Sequence, residues 1–160
     1  MSQKRENKPA NEAEFHKKAA SSCFNKAWDF LDNKSRSQED DRQMLLHAHT
    51  SRYHWGLVGT PSNMAVGDWQ VSRVYSDLKQ PELALLFAKS SLDTCQKNSL
   101  TDLLLSAYEG MARAYATTIE IGEARRYLEM ARKQLELVTD KEDRKIYGQQ
   151  IDETEALIRK

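Results

Sequence analysis

The chain has 160 residues, enough for one cooperative core and too few for two independent ones. Its 24 Lys and Arg balance 24 Asp and Glu, so no field of one sign draws DNA, RNA or an acidic membrane, and neither is an expected partner. No run of about 18 apolar residues and no signal-peptide core occurs, which makes the cytoplasm the expected location.

Residues 1–11 (MSQKRENKPAN) lack periodic apolar positions and include Pro9, which predicts a disordered lead-in to a single helical-repeat domain over 12–160. The first helix is expected from Glu12 to Asn33, with Phe15, Ala19, Cys23, Ala27 and Phe30 or Leu31 at helical spacing. After a connector over 34–39, a second helix over 40–58 places Met44, Ala48, Ser51, Trp55 and Val58 on one stripe. Glu39, Asp40 and Asp41 suit its positive N-terminal end. Thr60 followed by Pro61 is a start signal, since Thr caps free amides and a proline in the first turn loses no hydrogen bond. The third helix then runs to about Lys79 with Gly67, Val71, Val74, Tyr75 and Leu78 inward.

Pro81 breaks that helix and opens a fourth, in which Ala84, Phe87, Ala88, Ser91, Leu92 and Cys95 recur at spacings of three and four. A fifth opens at Thr101 and Asp102 and buries Leu104, Tyr108, Met111, Ala112 and Tyr115. A sixth, after Ile121 and Gly122, buries Ala124, Leu128, Ala131, Leu135 and Val138. The seventh, over 140–159, has only a thin stripe of Tyr147, Ile151, Leu157 and Ile158, as a terminal capping helix requires. The expected fold class is all-α: antiparallel hairpins over 12–58, 61–97 and 101–138, closed by the capping helix. Cys23 and Cys95 lie far apart on helices and read as buried, reduced core residues.

An offset of 40 residues lays Val71 on Met111, Ser72 on Ala112, Tyr75 on Tyr115 and Ala84 on Ala124. Carried backwards, it places Met44 under Ala84, Ala48 under Ala88 and Ser51 under Ser91. Tyr75 with Ala84 and Tyr115 with Ala124, each nine residues apart, resemble the tetratricopeptide-repeat pattern of a late Tyr in one helix and a small Ala in the next. Tyr108, Ala112 and Ala131 match further positions of it. The period is 40 rather than about 34, and Asp68 stands at the first copy's early aromatic position. The run HTSRYHWGLVGTPSNMAVGDWQVSRVYS is also similar to sequences of an uncharacterised bacterial family, a likeness that implies the helical fold and no activity.

What the tetratricopeptide resemblance implies is a right-handed array whose first helix in each hairpin lines a concave groove. Trp69, Gln70, Arg73, Glu109 and Arg113, one position off the buried stripe, become the expected binding residues. An aromatic ring beside two guanidiniums suits a protein or peptide segment with an apolar anchor and a carboxylate. The competing reading packs Trp69 against the first or second helix and leaves the charges as a solvated face. A homodimer through apolar stack ends is the other expected partnership.

The second constellation is His47, Ser51 and His54, with Asp68 the nearest carboxylate across the following turn. Two histidines seven apart are separated by about 10 Å along a helix, too far to share one metal ion, and His49 projects to another side. No HExxH, glycine-rich phosphate loop, nucleophile elbow or CxxC occurs, so no metal, cofactor or catalytic residue is expected. The patch stands as an alternative small-ligand, metal or enzyme site. Its plainer reading has His54 and Trp55 locking the turn, the imidazole bonding a backbone carbonyl or Asp68.

Overall fold

The computed structural model describes residues 8–159, and all regular structure among them is helical. Seven α-helices follow in order: α1 Lys8–Asp32, α2 Gln38–Val58, α3 Pro61–Asp77, α4 Pro81–Lys97, α5 Leu104–Tyr115, α6 Ile121–Glu136 and α7 Lys141–Ile158. A 3-10 turn, Thr101–Leu103, leads into α5. Helix α1 starts four residues before the expected Glu12, because Pro9 falls in its first turn, where a missing N–H breaks no helical bond. The rest of the expected lead-in, residues 1–7, lies outside the described residues.

Local chemistry sets the helix ends. Thr60 accepts from the Asn63 amide and Asn63 bonds back to the Thr60 amide, a reciprocal cap ahead of Pro61. Ser37 and Asp40 build the same box for α2, and the Asp140 carboxylate accepts from the Glu142 and Asp143 amides to open α7. Helices α3 and α4 close without glycine. Lys79 and Ser99 adopt φ of 56° and 54°, and the next amides, of Gln80 and Leu100, bond back to Tyr75 and Cys95 carbonyls at 2.9 Å.

Helices α1/α2, α3/α4 and α5/α6 pack as antiparallel hairpins, and α7 closes the stack against α5 and α6. Helices α1, α3, α5 and α7 form one layer in which each touches the next. Helices α2, α4 and α6 form the other, each lodged between two members of the first, and α2 reaches α4 through the His49 and Phe87 rings, 5.5 Å apart between centres. Ser72 and Ser91 sit where helices approach closely, their hydroxyls donating to the Ala84 and Ala65 carbonyls at 2.9 and 2.8 Å. The 40-residue offset is visible in the packing: Tyr75 stacks on Phe87 at 5.8 Å between ring centres, and Tyr115 on Tyr127 at 5.9 Å.

The position of α3 and α5 inside the stack decides the site. Helix α3 packs against α1, α2, α4 and α5, and α5 against α3, α4, α6 and α7. Both are buried on nearly every side, including the flank expected to face a groove. On α1 Ala27 and Leu31 are buried as expected, but the expected inward Phe15 is 62% exposed, and the seam continues through Ala20 with His16 at its N-terminal end. A reading keyed to apolar residues chose the phenyl next to the imidazole that occupies the inward position. Cys95 is buried as expected, whereas Cys23 is only half-buried, and burial raises both thiol pKa values.

Gly110 sits under the Trp69 indole, where a Cβ would lie 2.9 Å from Cδ1. Gly110→Ala should therefore lower stability by about 1–3 kcal/mol through overpacking, which outweighs the roughly 1 kcal/mol that alanine gains in helix propensity. Thermal melts of the two proteins check the sign.

Candidate functional site

Glu109 is fully buried between α3, α5 and α7. Its carboxylate accepts from Trp69 Nε1 at 3.2 Å, Arg113 Nε at 2.8 Å and Thr154 Oγ1 at 2.6 Å, and Arg73 lies at 3.8 Å. Burial by itself raises the Glu109 pKa. The charges of Arg113 and Arg73 and the hydrogen bonds from Thr154 and Arg113 overcome it, so the group is held below the ordinary carboxylate value. Arg73 is depressed by its own burial and by Arg113, with Glu109 and Glu153 pulling the other way. Glu153 on α7 bridges both guanidiniums, at 3.1 Å from Arg73 and 3.5 Å from Arg113.

Aromatic rings from α1 and α3 cover this network. Trp28 meets Trp69 at 5.6 Å between ring centres, and the Arg73 guanidinium lies 5.1 Å over Trp28 and 6.0 Å from Trp69. Gln70 is also interior, its amide donating to the Phe24 carbonyl at 2.9 Å. The structure thus brings Trp69, Arg73, Glu109 and Arg113 into one cluster, with Gln70 beside it bonding to α1, but as an interhelical core. Trp69 packs on the first helix and borders a small cavity with Val66, Leu103 and Tyr147, while the Arg113 edge lines a larger open space.

That open space is a groove of about 660 Å³ at the C-terminal ends of the first layer. Lys34 follows α1; Ser76, Asp77 and Lys79 come from the end of α3; Arg113, Ala116 and Thr117 from that of α5; Glu153, Ala156 and Leu157 from α7. Its floor is small and apolar and its rim carries both charges. Asp77 is held by Arg36, and the buried Ser76 hydroxyl has no hydrogen-bond partner among the described residues. Sequence reasoning missed Trp28, Ser76, Glu153 and Thr154. Glu153 was within reach, since it follows Arg113 by the same 40 residues that separate Arg113 from Arg73.

The histidine patch does not converge. His47 stacks on Phe30 at 6.0 Å between ring centres, His54 faces His16, and Ser51 is fully buried with a hydroxyl that finds no partner among the described residues. Asp68 accepts from Arg52 Nε at 2.5 Å and from Ser90 Oγ at 2.7 Å, the arginine lying across the bare face of Gly67. His49 bonds the Tyr75 hydroxyl at 2.8 Å, and burial lowers its pKa despite the attraction of Asp68.

No family model, curated protein or solved structure matches the chain. Among the described residues no helix is long and apolar enough to cross a membrane.

Proposed function

We propose that the chain is a noncatalytic, tetratricopeptide-like module that holds a protein or peptide segment in the groove at the C-terminal ends of α1, α3, α5 and α7. The observation that carries this reading is the groove's construction. Four successive first-layer elements each contribute a wall, Ala116, Ala156 and Leu157 form an apolar seat, and Lys34, Lys79 and Arg113 stand on the rim with Asp77 and Glu153. Such a lining suits one apolar anchor flanked by charged or polar groups, with the buried Arg73–Glu109–Arg113 network as the rigid support beneath.

The binding residues are accordingly Lys34, Lys79, Arg113, Glu153 and Leu157, and Trp69, Gln70 and Glu109 hold the wall in place. Selection from a random-peptide display library, followed by anisotropy titration, tests this. Leu157→Asp and Lys34→Glu should each weaken a selected peptide by at least about tenfold, or 1.4 kcal/mol, while the melting temperature stays nearly unchanged. A library yielding no binder, or peptides indifferent to both substitutions, would sink the reading.

A further inference from the structure

One polar cluster lies away from the groove. His16 on α1 and His54 on α2 face each other through Nδ1 atoms 2.8 Å apart, with ring centres separated by 4.9 Å. They lie 38 residues apart, so only the α1/α2 packing joins them. Phe15 and Tyr53 set their ring edges against His54 at 6.1 and 5.5 Å between centres, limiting where that imidazole can turn.

We propose that His16 and His54 form a two-histidine site for a borderline divalent transition metal such as zinc or nickel, clamping the early turns of α1 to the last turn of α2. The pair is half of an imidazole site already assembled. With metal–nitrogen bonds of about 2.0–2.1 Å, two nitrogens of a tetrahedral site lie about 3.3 Å apart, so the rings part by about half an ångström and tilt until both lone pairs aim at one point beside the line that joins them. The proton that bridges the two nitrogens gives way to the ion, its ring changing tautomer so that Nε2 carries the proton and both neutral imidazoles present a bare Nδ1.

Glu12 supports the same assignment from the other side of the His16 ring. Its carboxylate stands 3.9 Å from Nε2, one turn earlier on α1 and mostly exposed, so a small rotation lets it accept the Nε2 proton. That arrangement leaves Nδ1 bare toward the metal, the carboxylate–histidine–metal relation usual around such ions. Imidazole donors favour zinc, nickel or copper over calcium or magnesium, which require oxygen ligands. No third His, Cys, Asp or Glu completes the set among the described residues, so the remaining coordination positions fall to water. This site is independent of the peptide groove.

The test uses the full chain without a histidine tag, reduced and in a Cys23→Ser background so that the half-buried thiol does not compete. Zinc and nickel ions are titrated separately by calorimetry at neutral pH, and melting temperature is followed in parallel. One equivalent should bind in the micromolar range and raise the melting temperature by mass action. His16→Ala and His54→Ala should each weaken binding at least about tenfold and abolish the shift, while His47→Ala leaves both intact. If an alanine variant is not helical by circular dichroism, glutamine at that position replaces it. Binding that survives either substitution, or none tighter than about 1 mM, overturns the proposal.

Discussion

Glu109→Ala should lower the unfolding free energy by about 3–5 kcal/mol, the loss typical when one partner of a buried ion pair is removed. Four groups meet at this carboxylate: the Trp69 indole N–H, the Thr154 hydroxyl and the guanidiniums of Arg73 and Arg113. Alanine leaves two cations facing each other with only Glu153, a mostly exposed residue, between them. Glu109→Gln should lose less, because its amide oxygen still accepts one of these bonds while the compensating charge is gone. Acid should reproduce part of the effect. A carboxylate whose folded pKa lies below its ordinary 4.5 gives stability that is fully present above that value. That contribution is then lost as pH falls through the folded pKa. Urea titrations of the parent and Glu109→Gln across this acid range measure it; parallel profiles for the two proteins would refute the assignment.

Trp69→Ala should cost about 3–5 kcal/mol, the range for deleting a buried aromatic side chain. The indole is 8% exposed, lies between Trp28 and Gly110, and donates to Glu109, so its removal opens a cavity and orphans a carboxylate oxygen together. Trp69→Phe separates the two losses. It keeps most of the packing and removes the hydrogen bond, for an expected cost of about 1–3 kcal/mol. Equilibrium denaturation of the three proteins decides the matter, and a Trp69→Ala variant as stable as the parent would place the indole outside the core. The same geometry makes replacement of Trp69 and Arg113 a test of folding, which is why the groove is better probed at Lys34 and Leu157.

Several features were legible in the residues. The number of helices follows from apolar spacing. The start of α3 follows from Thr60 and Pro61, whose cap chemistry is local and complete within four residues. Small residues marked the close approaches: Ala84, Ala88, Ser91 and Cys95 on α4 and Ala124 and Ala131 on α6 are all buried. Each of these depends on one helix and its immediate ends, and a periodicity of 3.6 reports such local facts well.

The candidate site was legible only in part, since Arg73, Glu109 and Arg113 are indeed together while their exposure was misjudged. A stripe on one helix tells which side is buried against the first neighbour, and α3 and α5 have neighbours on four sides. Which charges meet across helices, as Arg52 meets Asp68 and Glu153 meets Arg73 and Arg113, depends on layer order and axial register. Neither quantity is written in the spacing along a single helix. Helix content, caps and the 40-residue recurrence belong to the chain's local code. The groove, the buried ionic network and the His16–His54 contact arise only when hairpins stack, because burial and pairing are properties of neighbours distant in sequence.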